Sequence, residues 1–420
     1  MTAAIIDLDD PKYIEDKTVI MTEEVHEMTV AGHRDAYRIF KVKLDALYYN
    51  DKNGRIATWI NKYESENGKL DKEDRVKFNS IIHNFIRESN PEALDGTKTN
   101  IQMIGQEVPG VILSDGRVID GNRRFTCLRE LFEEKKGDSF GYFKTMILDG
   151  NYGPNDKAIK ALELNLQLGK EKPLDYDPIE RILDAYDNIV LTGTFTIDEY
   201  CKEANMSRSK VNLLLKKAEF INEFLDFIGA PGQYYIAREL QLDGPVQDAV
   251  LLLKKCKNKE ETEMLKNSIF ADLAIRPEED MTRHIRNYGK IVQSEDSKSL
   301  LKQINDNSIE VLKKIDESKE VLKNNDDPKE VNVINVIQEI RTDDKLKTKI
   351  VHDVKKAAEQ SDRSKARELP SKYAREAFEK MDDIDLDAIP TMNESSKRDL
   401  VENLDALETK IKEIRDCLDQ

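Results

Sequence analysis

Five consecutive residues, Asp120-Gly121-Asn122-Arg123-Arg124, constrain this chain more than any other stretch. Two short apolar runs precede them, Gly110-Val111-Ile112-Leu113 and Val118-Ile119, separated by the turn Ser114-Asp115-Gly116. Behind them Phe125, Leu128, Leu131 and Phe132 recur at helical spacing. Gly121 therefore stands where a strand passes into a helix. The first turn of a helix carries unpaired N–H groups and a partial positive charge. Two arginines there have the wrong sign unless an anion joins them. Gly121 permits close backbone approach and the arginines supply forked hydrogen bonds, so phosphate is the natural guest. A tight turn carrying two solvated arginines is the alternative.

Composition narrows the class. A chain of 420 residues holds two to four domains. With 39% hydrophobic and 35% charged residues it can build real cores and still expose much helix. A formal net charge of −16 excludes a general polyanion binder, so any nucleic-acid surface must be a local basic patch. Cys127, Cys201, Cys256 and Cys417 are scattered without CxxC spacing, which suits reduced thiols in the cytoplasm better than disulfides or zinc. His26, His33, His83, His284 and His352 show no ligand spacing, and no Ser-His-Asp or Cys-His grouping is legible. No apolar run approaches 18 residues and the first residues lack a basic stretch, so neither a membrane span nor a signal peptide is expected.

The expected fold class is α+β. Residues 1–35 read as an acidic, partly ordered arm. Residues 36–154 read as a small mixed α/β domain, with strands at 37–49, 108–113, 117–120 and 142–148 and helices near 56–66, 72–88 and after Gly121. Beyond 155 strand signals nearly vanish. A helical domain over 155–235 is followed by another over 236–325, a linker with short helices over 326–395, and a terminal coiled coil over 396–420. In that last segment Leu400, Leu404, Leu407, Ile411, Ile414 and Leu418 follow a heptad seam flanked by charges. Three heptads need a partner. The expected one is a second copy of the chain. An internal candidate is the looser stripe Leu301, Ile304, Val311, Leu312, Ile315 and Leu322.

Residues 196–211 have the shape of a helix-turn-helix. Thr196 and Glu199 form a capping box, Ala204 is small where two helices approach, Asn205 suits a left-handed turn, and Ser207 caps the second helix. Val211, Leu214 and Leu215 would face a core. Ser207, Arg208, Ser209, Lys210, Asn212, Lys216 and Lys217 are the candidate DNA contacts, a stretch with four basic residues and no acidic one. An ordinary helical hairpin with a charged outer face is the alternative.

The order of these motifs resembles the ParB family of DNA-partition proteins, over roughly residues 37 to 230. Asn50 to Arg55 resembles the family's first box, an Asn/Pro-rich turn closing with Arg. Asp120 to Arg124 resembles its second box, Gly-Glu-Arg-Arg, which holds a nucleoside triphosphate. Asn165-Leu166-Gln167, followed by Pro178-Ile179-Glu180, resembles its third box, Glu-Asn-x-Gln-Arg. The resemblance implies a ParB/sulfiredoxin-like domain that binds CTP, or another nucleoside triphosphate, and Mg2+. Its site would comprise Arg55, Gly121, Asn122, Arg123, Arg124, Asn165 and Gln167, with Asn165 the only metal ligand carried over. It also implies a nucleoid-associated homodimer on double-stranded DNA, with a partner ATPase or other protein engaged through the C-terminal helices. The chain departs from the pattern: Leu164 replaces the family's metal-binding Glu, Leu168 its Arg, and Asn122 a Glu. Loss of the carboxylate at 164 removes an oxygen ligand that magnesium would use for CTP hydrolysis.

Three functions stay open on these residues. One is a DNA-binding protein with a nucleotide switch, acting in partition or in transcriptional control of a mobile element or chromosome. The second is a nuclease or small-molecule kinase on the same fold, using carboxylates such as Glu107, Asp115 or Asp120. The third is an adaptor that has lost nucleotide binding.

Overall fold

The computed structural model describes residues 7–8, 10–30, 33–148, 156–168, 177–325 and 332–418. They fall into two compact units, residues 1–357 and 358–420. The expected boundary residues 154 and 326 fall outside the described residues.

The first unit begins with a short helix, α1 (Lys12–Glu15), and two long strands, β1 (Val19–Val30) and β2 (His33–Lys43). The segment expected as a loose arm therefore supplies an antiparallel partner for β2, and Val19 and Leu8 are buried in the core. Next come β3 (Tyr48–Tyr49), α2 (Ala57–Asn67), α3 (Arg75–Ser89), α4 (Pro91–Ile104), β4 (Gly110–Leu113), β5 (Arg117–Asp120), α5 (Asn122–Glu133) and β6 (Tyr142–Leu148). The sheet runs in the order β1-β2-β6-β4-β5-β3. The single strand expected over 37–49 is thus broken. Three strands lie between β2 and β3, so the chain must leave the sheet between them, through a 3-10 turn at Leu44–Ala46. Helix α4, absent from the sequence-based expectation, is capped by the Asn90 side chain and starts on Pro91.

Alternate strand residues point to opposite faces. Ile112, Val118 and Phe143 join the α3–α5 side, where Phe78, Ile82, Leu94, Ile101, Phe125 and Leu128 complete a core. Val111, Leu113, Ile119, Met146 and Leu148 meet Ile159, Leu162 and Leu166 of α6 (Asp156–Leu168) on the other face. Near-continuous apolar strands follow from this coverage of both faces.

The remainder is helical. Asp177 caps α7 (Pro178–Tyr186), which continues as one π-helical stretch, Asp187–Leu191. Then follow α8 (Ile197–Glu203), α9 (Arg208–Phe227), α10 (Tyr235–Glu239), α11 (Asp243–Leu253), α12 (Lys259–Ile275), α13 (Met281–Val292), α14 (Ser297–Asn325), α15 (Val333–Ile340) and α16 (Asp344–Asp382). Leu301, Ile304, Val311 and Ile315 of α14 are buried, and α14 packs on α12 and α15. That internal stripe is already used inside the first unit. In the second unit α17 (Glu394–Leu418) has no buried residue, and Leu404, Leu407, Ile411, Ile414 and Leu418 are exposed. No helix of the described residues is long and apolar enough to cross a membrane.

Candidate functional site

Gly121 ends β5 with φ 96 and α5 starts on the next residue. A Cβ at 121 would lie 2.9 Å from both the Arg124 Nη2 and the Phe143 ring, so the backbone twist and the close approach both require glycine here. The start of α5 opens into a cavity of about 280 Å3. Arg55, Gly121, Asn122, Arg123 and Arg124 all line it, together with Asn53 from the turn before Arg55. Residues nearly seventy positions apart thus converge on one helix N-terminus. Ile86 and Ser89 of α3 and Thr97, Asn100 and Ile101 of α4 form another wall. Sequence reasoning missed that wall, although the Asn90-Pro91 pair is a readable helix-start signal.

Three guanidinium groups face two carboxylates in this lining, Asp120 and Glu107. Arg124 Nη2 donates to Asp120 Oδ2 at 3.1 Å and to the Pro109 carbonyl at 3.3 Å. The Arg124 Nε and the Asn122 Oδ1 are buried with no hydrogen-bond partner among the described residues. Buried polar atoms are normally satisfied. The donor set and the helix N-terminus suit a polyphosphate, whose oxygens accept hydrogen bonds; the Asn122 Oδ1 would need a donor from another part of a ligand.

Asn165 does not line this cavity; Leu166 does. The side chain of Gln167 lies outside the described residues. The reason is the double duty of α6. Its Ile159, Leu162 and Leu166 face the sheet, whereas Leu164 packs with Ala185, Phe195, Tyr200, Ala204 and Val211 in the helical region. A magnesium ion held by Asn165 does not fit this arrangement. Among the described residues no three His, Cys, Asp or Glu side chains gather at metal-binding distances.

Two further carboxylates support this site from behind. Glu163, 1% exposed, accepts from the Gly54 backbone N–H at 3.0 Å and from the Asn50 Nδ2 at 3.4 Å. Glu180 is fully buried and accepts from the Thr58 backbone N–H at 3.1 Å and from the Thr58 hydroxyl. Arg238 Nη1 donates to the Thr58 Oγ1 at 2.7 Å. Both acids thereby fix the chain on either side of Arg55. Neither role was visible in sequence, because each depends on a partner more than 100 positions away.

Burial pushes the Glu180 carboxyl from 4.5 up to about 7, and the Thr58 hydrogen bonds and Arg238 only partly offset it. Below 4.5 both folded and unfolded chains hold this proton. Between 4.5 and about 7 the unfolded chain releases it first, so stability falls as pH rises through that window and is flat above it. The total loss reaches about 3 kcal/mol. Chemical denaturation of Glu180→Gln across pH 4 to 8 is expected to lack this component, with the steeper decline seen only in the native sequence.

The candidate DNA-contact residues group around α8 and α9. Thr196 and Glu199 form the reciprocal capping box, Asn205 has φ 51, and Ser207 caps α9. Ala204, Val211 and Leu215 are buried and Leu214 packs on the same cluster. Ser207, Arg208, Ser209, Lys210, Asn212 and Lys216 are exposed. Arg208 reaches back to an ion pair with Asp198. Lys217 departs from the expectation. It is 4% exposed and ion-paired with Asp243 at the start of α11, because its position falls on the core side of α9 beside Ala218 and Phe220.

No protein-family model matches the chain, and no curated protein matches it either. Among solved structures, it is similar to the C-terminally truncated chromosome-partitioning protein ParB from Caulobacter crescentus complexed with CTP-gamma-S. Identity is 13%, coverage is 51% of this chain and 92% of that one, and the TM-score is 0.20. A likeness that distant leaves the functional reading to rest on this chain's own residues.

Proposed function

We propose that this protein is a ParB-like DNA-binding protein in which a nucleoside triphosphate, CTP or a close relative, acts as a switch. The reading rests above all on the cavity at the start of α5, where Arg55, Arg123 and Arg124 meet the N–H groups that follow Gly121. Arg123 and Arg124 hold phosphates, Arg55 closes over them, and Asn122 orients the ligand. Residues Ser207 to Lys216 form a basic end on α9 that reads duplex DNA, and the exposed seam of α17 pairs two chains. Pairing two weak readers raises avidity without new contacts. Its setting would be partition of a replicon or transcriptional control of a mobile element or chromosome. A nuclease or kinase needs a free carboxylate at the reacting centre; Asp120 is ion-paired with Arg124, which leaves Glu107 as the carboxylate in this lining that such a reading would use.

The test is a titration of DNA binding with each of the four nucleoside triphosphates, with and without magnesium, on duplexes selected from a random pool. One nucleotide is expected to change DNA affinity, and Arg208→Ala with Lys210→Ala to weaken binding about 10-fold or more and flatten its salt dependence. Unchanged affinity in that double variant at moderate salt removes α9 as the reader.

A further inference from the structure

Four buried side chains form a continuous polar path from the cavity wall to α8. Asn53 and Arg55 line the cavity, and Gly54 between them donates its N–H to Glu163. Lys160, one turn earlier on α6, places its Nζ 3.5 Å from Glu163 Oε2, 2.6 Å from Asp184 Oδ1 and 3.2 Å from the Lys52 carbonyl. Asp184 in turn accepts from the Tyr200 hydroxyl at 2.8 Å. Tyr200 is the buried residue of α8, where its ring packs on Phe195. Exposure along the path is 1% at Glu163, 8% at Lys160, 4% at Asp184 and 0% at Tyr200.

We propose that this path couples anion binding at Arg55 to the seating of α8, and hence of the basic end of α9; the proposal rests on the pocket reading above. Its working part is one ammonium shared by two carboxylates. Glu163 is compensated by Lys160 and by the Gly54 and Asn50 donors, the last two on the turn that carries Arg55. When phosphates draw Arg55 inward, the Gly54 N–H turns from Glu163. An ionised carboxylate left short of donors in a buried site attracts the nearest cation strongly. Lys160 then moves toward Glu163 and away from Asp184, and Asp184 loses its ammonium partner while the Tyr200 hydroxyl still donates to it. The two states differ in where Lys160 sits, which is the differential contact that coupling requires.

The turn has space for this movement. A second cavity of about 500 Å3 lies on its other side and is lined by Asp51, Lys52, Asn53, Gly54, Lys160 and Asp184 among others. Asn53 borders both cavities, so the turn is a partition between them. Tyr200 acts here as a positioning residue, through Asp184 and not on any ligand.

Two signals separate the links. Trp59, the sole tryptophan, sits on α2 just past the turn with the Arg238 guanidinium 3.8 Å from its ring centre, so its fluorescence reports movement of the turn. Amide hydrogen exchange in residues 197–203 reports α8. Wild type, Tyr200→Phe and Asp184→Asn are titrated with CTP and, in parallel, with inorganic triphosphate. The wild type is expected to change both signals, with exchange in α8 altered at least about fivefold. In both variants the fluorescence change and the ligand affinity persist while the exchange change in α8 is lost. An undiminished α8 response in both variants overturns the relay and leaves the pocket reading intact. Silence of both signals in the wild type overturns the pocket reading and the relay with it.

Discussion

Replacing Arg123 and Arg124 together by alanine is expected to remove triphosphate binding while leaving the fold in place. Hydrogen bonds to charged groups each contribute about 1.5–3 kcal/mol, so the pair accounts for about 3–6 kcal/mol, or roughly 10²- to 10⁴-fold in affinity. The loss is deepened by Asp120, which no longer has Arg124 as its ion-pair partner and repels the incoming phosphates. The fold survives because both side chains reach into the cavity, while Phe125, Cys127, Leu128 and Leu131 of the same helix carry the packing. Competition against a fluorescent nucleotide, alongside thermal unfolding, reads both parts of this prediction. Lysine at both positions separates charge from geometry: the ammonium is a point charge without the fork, so partial recovery is expected.

The second large effect lies behind the pocket. Lys160→Met is expected to destabilise the first unit by about 3–5 kcal/mol, the usual consequence of leaving buried charge uncompensated. Burial alone would push the Lys160 ammonium down, but Asp184 and Glu163 more than offset this and raise it, so the lysine is charged in the fold. Burial also pushes the Glu163 carboxyl up against the pull of Lys160. The triple variant Lys160→Met, Glu163→Gln, Asp184→Asn removes all three charges and is expected to recover most of the lost stability. Urea unfolding of the single and triple variants measures the difference. Equal losses in both would mean that shape, not charge, dominates at this position.

Much of the pocket was legible because its parts are local. A glycine between a strand and a helix, followed by two arginines, encodes backbone conformation, helix polarity and charge in five residues. Arg55 followed from the box resemblance, and the fold brings it to the same cavity. What stayed hidden depends on contacts between distant elements. The third box was assigned to the pocket at Asn165, yet α6 turns Leu166 there and uses Leu164 and Glu163 elsewhere. A helix packed on two neighbours has no single apolar face, so periodicity alone cannot say which residue meets which partner. β1 was missed for a related reason: Val19–Val30 alternates weakly and carries several acids, as suits an edge strand with one solvated face. Lys217 shows the limit of counting charge, since a basic residue two turns into α9 falls on the packed side and pairs with Asp243.

Isothermal titration of the intact protein with CTP, ATP, GTP, UTP and inorganic triphosphate tests the central claim most directly. The account predicts saturable binding of at least one nucleotide near one site per chain, weakened by salt and abolished in Arg123→Ala with Arg124→Ala. Flat titrations for all five ligands, with the protein folded, would contradict it.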